Sequence, residues 1–122
     1  MAITEKDRAL IGRESAPFFA PDEVTKPAIR HWCEFVEDAN PLYTDEEYAR
    51  STKHGGIIAP AQMMMCWCMP RMWPWPEIPW NPMGDLELPG ADMWMAVGQT
   101  NEFYLSVRPG DILNYTMSLE SI

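Results

Sequence analysis

Proton transfer, nucleophilic attack and metal binding each need a few residue types within reach of one another, and this chain has few of them. It carries two histidines, His31 and His54, and three cysteines, Cys33, Cys66 and Cys68. The cysteine count is odd and the close pair is C-x-C, with no second ligand cluster nearby, so no metal site is expected. Cys66 and Cys68 read instead as small buried hydrophobes. The densest run of chemistry-bearing groups is Asp38-Ala39-Asn40-Pro41-Leu42-Tyr43-Thr44-Asp45. There a carboxylate, an amide and a phenol follow one another closely. Each also has an ordinary reading: Asp38 as a cap, Asn40-Pro41 as a turn former, and Tyr43 as a packing residue with a hydrogen-bonding tip. His31 reads as a surface residue on the polar flank of a helix, and His54 as a loop residue ahead of one.

Positioning these groups falls to the elements around them. From Lys26 to about Glu37 the apolar residues Ile29, Trp32, Cys33 and Val36 recur at i, i+3, i+4, i+7, which predicts an amphipathic helix. Thr25 can cap it and Pro27 suits its first turn. Asp38-Ala39-Asn40-Pro41-Leu42 ends it, because the residue before a proline avoids the α region. Thr44-Asp45-Glu46-Glu47 has capping-box spacing and opens a second helix that stops by Gly55-Gly56. Pro60 then begins a third helix over about 60–70, Ala-Gln-Met-Met-Met-Cys-Trp-Cys-Met in its middle, without a charge on any side. A helix apolar all round is expected to be buried all round.

The flanks are less regular. Residues 1–15 predict a loose arm or a short helix, and Ala16-Pro17-Phe18-Phe19-Ala20-Pro21 an edge strand. Residues 70–90 alternate proline and tryptophan, and read as a loop: a hydrophobic wrapping over the buried helix, a lid or a partner surface. Strands are expected over Met93–Val97 and Thr100–Val107, then a turn at Arg108-Pro109-Gly110-Asp111 and a last strand from Ile112. In that strand Leu113, Tyr115, Met117 and Leu119 alternate with polar residues, so one face is buried. Together these elements predict an α+β fold in which an antiparallel sheet wraps a central helix, with an unpaired edge that invites a partner.

The length of 122 residues suits one domain spanning 1–122. Nine Lys and Arg against eighteen Asp and Glu leave a net charge of −9, which repels nucleic-acid phosphates and anionic lipid headgroups. Neither nucleic acid nor membrane is an expected partner. The first residues lack the apolar core of a signal peptide, and no run reaches the roughly 18 apolar residues of a spanning helix. A cytoplasmic location is expected.

From Phe35 to Pro60 the sequence resembles the MaoC-like hot-dog dehydratases, most closely the FAS1-like, or N-terminal MaoC-like, dehydratase domains. The stretch Asp38 to Asp45 matches that family's G-D-x-N-P-[apolar]-[H or Y]-x-D signature. Gly55-Gly56-Ile57-Ile58-Ala59-Pro60 matches the approach to its central helix, and Arg108-Pro109-Gly110-Asp111 its turn before a long strand. The resemblance implies a hot-dog fold, dimeric or built of two hot dogs, acting on thioesters of coenzyme A or acyl carrier protein. The implied reaction is reversible addition of water to a 2-enoyl thioester, with the coenzyme A thioester as substrate and no further cofactor. Against hot-dog domains of about 150 residues, the fold is expected to be incomplete at its C-terminal end.

The family reaction uses a carboxylate and an imidazole to hold one water, and an N–H at the start of the central helix to polarise the thioester carbonyl. Carried over, Asp38 stands at the catalytic aspartate and Asn40 at the asparagine of the same loop. Tyr43 stands at the histidine, and a phenol with a pKa near 10 is a poor proton acceptor at neutral pH. Pro60 stands at the glycine of the oxyanion site and has no N–H to offer. Glu37 stands where the signature prefers glycine. The resemblance therefore implies an acyl-tunnel half that works with a catalytic hot-dog partner, in a heteromer or as a homodimer. The alternatives are a self-sufficient hydratase using Asp38 with another base, and a thioester-binding module without chemistry. For substrate contacts the reading names Met63, Met64 and Trp67, and Met63, Met64, Met65 and Met69 give a soft wall that suits a bulky acyl group such as a sterol or aromatic side chain, as in lipid or steroid metabolism. His54 and Arg108 are named for coenzyme A phosphates, with Arg50, Lys53 and Arg71 as further candidates.

Overall fold

The computed structural model describes residues 3–71, 73, 74, 79–90, 95 and 98–122. Helix α1 is Glu5–Arg8, and helix α2, Lys26–Val36, matches the expected amphipathic helix. The Thr25 hydroxyl accepts the Ala28 N–H at 3.4 Å, and Pro27 sits in the first turn, where no N–H is needed. Glu37 turns the chain out of α2 in a left-handed conformation at φ 57°. Glycine takes that conformation without crowding, whereas a side chain strains it. Ile29 and Cys33 are buried and Trp32 is half-buried, but Val36 at the helix end is exposed, so the apolar stripe leaves the core in its last turn.

Two short helices follow, α3 (Pro41–Thr44) and α4 (Glu46–Ser51). The expected cap at Thr44 is corrected by one position. Thr44 closes α3, and Asp45 caps α4 by accepting the Tyr48 N–H at 2.9 Å. The central helix is a 3-10 turn, Ala61–Met63, running into α5, Met64–Cys68. The core gathers Ala20, Val24 and Ile57 with α2 residues Ile29 and Cys33, then Met63 and Trp67 from the central helix.

That helix is not buried all round. Met63, Trp67 and Cys68 are buried, but Met65 is 58% exposed, and Cys66 and Met69 are also open. The reason is the layer beside it. The Thr100–Val107 segment forms no strand, and residues 100–106 are exposed, since no neighbouring strand among the described residues pairs with their backbone. The strand expected over Met93–Val97 lies outside the described residues except for Met95.

The last strand is present as an extended run, regular only where β1 (Phe18–Phe19) pairs antiparallel with β2 (Asn114–Tyr115). The Phe18 and Tyr115 rings pack at a tilt of 53°, centroids 5.4 Å apart. On either side, Ser15 N–H donates to the Met117 carbonyl at 2.8 Å and Ala20 N–H to that of Leu113 at 2.7 Å. Leu113, Tyr115, Met117 and Leu119 are half-buried while the residues between are exposed, which is the expected period of two. Gly110, at φ 93°, shapes the turn before it and donates its N–H to Val24 at 2.8 Å.

The proline–tryptophan stretch is more ordered than expected where it is described. Asn81 caps a 3-10 turn, Pro82–Asp85, and the Trp80 indole N–H donates to Asp85 at 2.8 Å. Among the described residues its polar attachments run to the N-terminal arm. The Arg13 guanidinium lies 4.6 Å from the Trp80 ring centre, Lys6 pairs with Glu87, and Glu87 N–H donates to Asp7 at 2.9 Å. Among the described residues no helix is long and apolar enough to cross a membrane.

Candidate functional site

The left-handed residue Glu37 delivers Asp38 into a turn. Asp38 N–H donates back to the Cys33 carbonyl at 2.9 Å, and its Oδ1 accepts the Asn40 N–H at 3.0 Å. Asn40 in turn caps α3 through the Leu42 N–H at 3.1 Å. Both polar side chains of the loop thus hold its backbone. Asp38 keeps access to solvent, lining an open pocket of about 300 Å³ with Cys33, Glu34 and Glu37 and a second of about 470 Å³ with Trp32 and Gln62. Neither pocket has a histidine in its wall among the described residues.

Tyr43 turns away from those pockets and packs against the core. Burial pushes its phenol above the ordinary tyrosine value, the nearby Asp38 charge adds to this, and the Asn40 side chain opposes it. At neutral pH it is a neutral hydrogen-bonding group and accepts no proton. Burial likewise raises the thiols of Cys33 and Cys68, so neither is a thiolate nucleophile at neutral pH.

Just ahead of the central helix, over residues 58–60, the backbone donors are spent or absent. Ile58 N–H donates to Leu42 at 3.3 Å and Ala59 N–H to Val107 at 2.8 Å, and Pro60 has no N–H. Pro60 is buried and its carbonyl accepts the Met63 N–H at 3.0 Å. An oxyanion site needs an N–H aimed into the substrate pocket, and residues 58–60 offer none.

Beside this turn lies a pocket of about 190 Å³, walled by Tyr43, Ala61, Met64, Phe103, Leu105 and Ser106 among others. It unites two of the residues picked from the sequence, Tyr43 and Met64. A third, His54, stands at its rim: His54 Nδ1 lies 3.2 Å from the Ser106 Oγ. Met63 and Trp67 belong to the core instead. Arg108 lies in the turn near Val24, its N–H held by Asp111 at 2.8 Å. The residues 103–106 were missed as a pocket wall, because an alternation-free stretch read as a strand says nothing about what it faces. Among the described residues no group of three or more His, Cys, Asp or Glu is placed to hold a metal ion.

The arrangement therefore has a carboxylate open to solvent, a pocket of mixed polarity at the head of the central helix, and a half-buried phenol where the resemblance puts an imidazole. Comparison with known proteins identifies relatives of the chain. The chain is 36% identical over 124 residues to a protein of Thermomonospora curvata described as "Probable enoyl-CoA hydratase alpha subunit", covering 94% of this chain and 38% of that one. Over 55 residues it is 44% identical to the 3-oxo-4,17-pregnadiene-20-carboxyl-CoA hydratase alpha subunit of Mycobacterium tuberculosis, covering 45% of this chain and 18% of that one. A UPF0336 protein of Streptomyces coelicolor is 36% identical over 121 residues, 95% of this chain and 73% of its own. The chain thus spans well under half the length of the two hydratase subunits it matches. A chain in the crystal structure of the ChsH1-ChsH2 complex from Mycobacterium tuberculosis superposes with a TM-score of 0.76 at 29% identity, over 92% of this chain and 69% of that one. The α+β fold is accordingly the hot-dog fold, less complete in its sheet than expected. Because the FAS1-like, dehydratase domain region matches residues 9–122, nearly the whole length, this chain belongs to that family.

Proposed function

We propose that this chain is the acyl-binding hot-dog component of a 2-enoyl-coenzyme A hydratase, and that a partner hot dog supplies the proton-transfer groups. The observation that carries this reading is the state of the helix start: Ala59 N–H is committed to Val107 at 2.8 Å and Pro60 has none. Tyr43, neutral at the histidine position, supports it from the other side of the pocket. Losing an oxyanion donor alone typically lowers turnover by about a hundredfold or more. In this division of labour the pocket lined by Met64, Phe103 and Leu105 receives the acyl group. Methionine adapts to bulky shapes, which fits a steroid side chain of the kind named for the Mycobacterium tuberculosis relative. The open side of the central helix at Met65 and Met69 is where the partner or a second copy packs. Three free cysteines suit the reducing cytoplasm.

The test is hydration of crotonyl-CoA and of a longer enoyl-CoA by the native complex and by this chain alone. Activity is expected only in a complex that includes a histidine-bearing hot-dog protein. Hydration by the isolated chain within tenfold of the complex would overturn the division of labour and give Asp38 a base of its own.

A further inference from the structure

We propose that Ser106 and His54, at the mouth of the pocket at the head of the central helix, act as nucleophile and base in acyl transfer. The chain itself then hydrolyses an ester or thioester whose short acyl group sits in that pocket. Ser106 Oγ and His54 Nδ1 lie 3.2 Å apart although 52 positions separate them along the chain. A serine hydroxyl is a weak nucleophile until a neighbouring base takes its proton, and the two must stand within hydrogen-bond reach. Backbone contacts hold both. His54 N–H donates to the Thr52 hydroxyl at 3.2 Å, and that hydroxyl donates to the Ala49 carbonyl at 2.7 Å, which fixes the turn carrying the ring. Ser106 is followed by Val107, whose carbonyl accepts the Ala59 N–H at 2.8 Å just ahead of the central helix. Ser106 lies in the pocket wall and is exposed, so an incoming carbonyl can reach it.

The pocket supplies the other parts. Met64, Phe103 and Leu105 line it beside Ser106 and offer apolar surface to an acyl chain, and a volume of about 190 Å³ suits a short one. Tyr43 belongs to the same wall, and its phenol, protonated at neutral pH, has an O–H to donate to the carbonyl oxygen as that oxygen becomes negative. With the ring proton on Nε2, His54 Nδ1 takes the Ser106 proton as the bond from Oγ to the carbonyl carbon forms. The bond from that carbon to sulfur or oxygen then breaks, and the leaving group departs with the proton from His54. Water next attacks the serine ester. His54 takes one proton from it and returns that proton to Oγ, and a carboxylic acid is released, so one water is consumed per acyl group. None of these steps needs a double bond in the substrate, so the activity is independent of hydration.

Labelling of the full chain with a fluorophosphonate, which reacts with a serine that a base has activated, followed by peptide mass mapping, tests this. One adduct is expected, on the peptide carrying Ser106. It is expected to be absent in Ser106→Ala, to form at least about tenfold more slowly in His54→Gln, and to form at the wild-type rate in Ser51→Ala. Because Ser106 is exposed, Ser106→Ala leaves the fold intact and a lost adduct reports the hydroxyl itself. Hydrolysis of p-nitrophenyl butyrate and of butyryl-coenzyme A, neither of which has a double bond to hydrate, separates the substrates. Release of p-nitrophenol alone assigns oxygen esters, and release of the thiol assigns thioesters. No adduct on Ser106, equal labelling of His54→Gln and wild type, or hydrolysis by Ser106→Ala at the wild-type rate overturns the proposal.

Discussion

Two aspartates sit at helix ends in this molecule, Asp7 in α1 and Asp38 just past α2, and they have opposite fates. Asp7 is fully buried and accepts from the Thr4 N–H at 2.9 Å, the Thr4 hydroxyl at 2.6 Å and the Glu87 N–H at 2.9 Å. Those hydrogen bonds, the Thr4 hydroxyl first, hold its carboxyl at a pKa of about 2, against the cost of burial. Asp38 takes one backbone N–H and faces two open pockets. A carboxylate whose lone pairs are all engaged by the chain is a fastener, whereas one with oxygens turned to solvent can meet a ligand. The motif residue, half-buried, is the one that keeps access to solvent, and the fastener lies outside the motif.

The contrast is broken most forcefully at Asp7. Asp7→Ala strands part-buried donors at Thr4 and Glu87 and is expected to lower the melting temperature by several degrees, while Asp38→Ala shifts it little. Equal losses in thermal denaturation would mean the two carboxylates have the same role.

Acid titration sharpens the same point. The folded pKa of Asp7 lies below its unfolded value of about 3.9, so its stabilisation is complete above that value and disappears as the pH falls from about 5 towards 2. Denaturant midpoints measured across that range should drop for the wild type. In Asp7→Ala this part of the drop should be missing.

Glu37→Gly tests the turn that presents Asp38. Removing the side chain from a residue at φ 57° is expected to stabilise the chain by about 1 kcal/mol. A destabilised variant in urea would show that the Glu37 side chain makes a contact worth more than the strain. The smallest effect is reserved for chemistry: in the active complex Asp38→Ala is expected to change hydration by less than about tenfold, since a general acid or base is worth 10²–10⁴. A loss of two orders of magnitude in kcat would assign Asp38 a catalytic role.

Much of the site was legible from local pattern. The apolar spacing of Ile29, Trp32 and Cys33 and the cap at Thr25 marked α2, and Asn40-Pro41 marked the turn after it. The alternation of Leu113, Tyr115, Met117 and Leu119 appeared as half-buried and exposed residues in strict turn. Where the reading missed, it had extended a local rule to a non-local outcome. An uncharged helix was expected to be covered on all sides, but coverage depends on other segments, and the segment at 100–106 does not supply it.

By itself, then, the sequence determined which residues carry or lack a group: Pro60 has no N–H, Tyr43 has no imidazole, and the Asp38 loop turns wherever it is placed. Those are properties of covalent structure and of neighbours three or four residues apart. The tertiary structure alone decided that Asp7 meets Glu87 across 80 residues and that Ser106 reaches His54 across 52. Such meetings follow from the path of the whole chain, because burial and electrostatic partnership are set by what folding brings near and leave no periodic trace along the sequence.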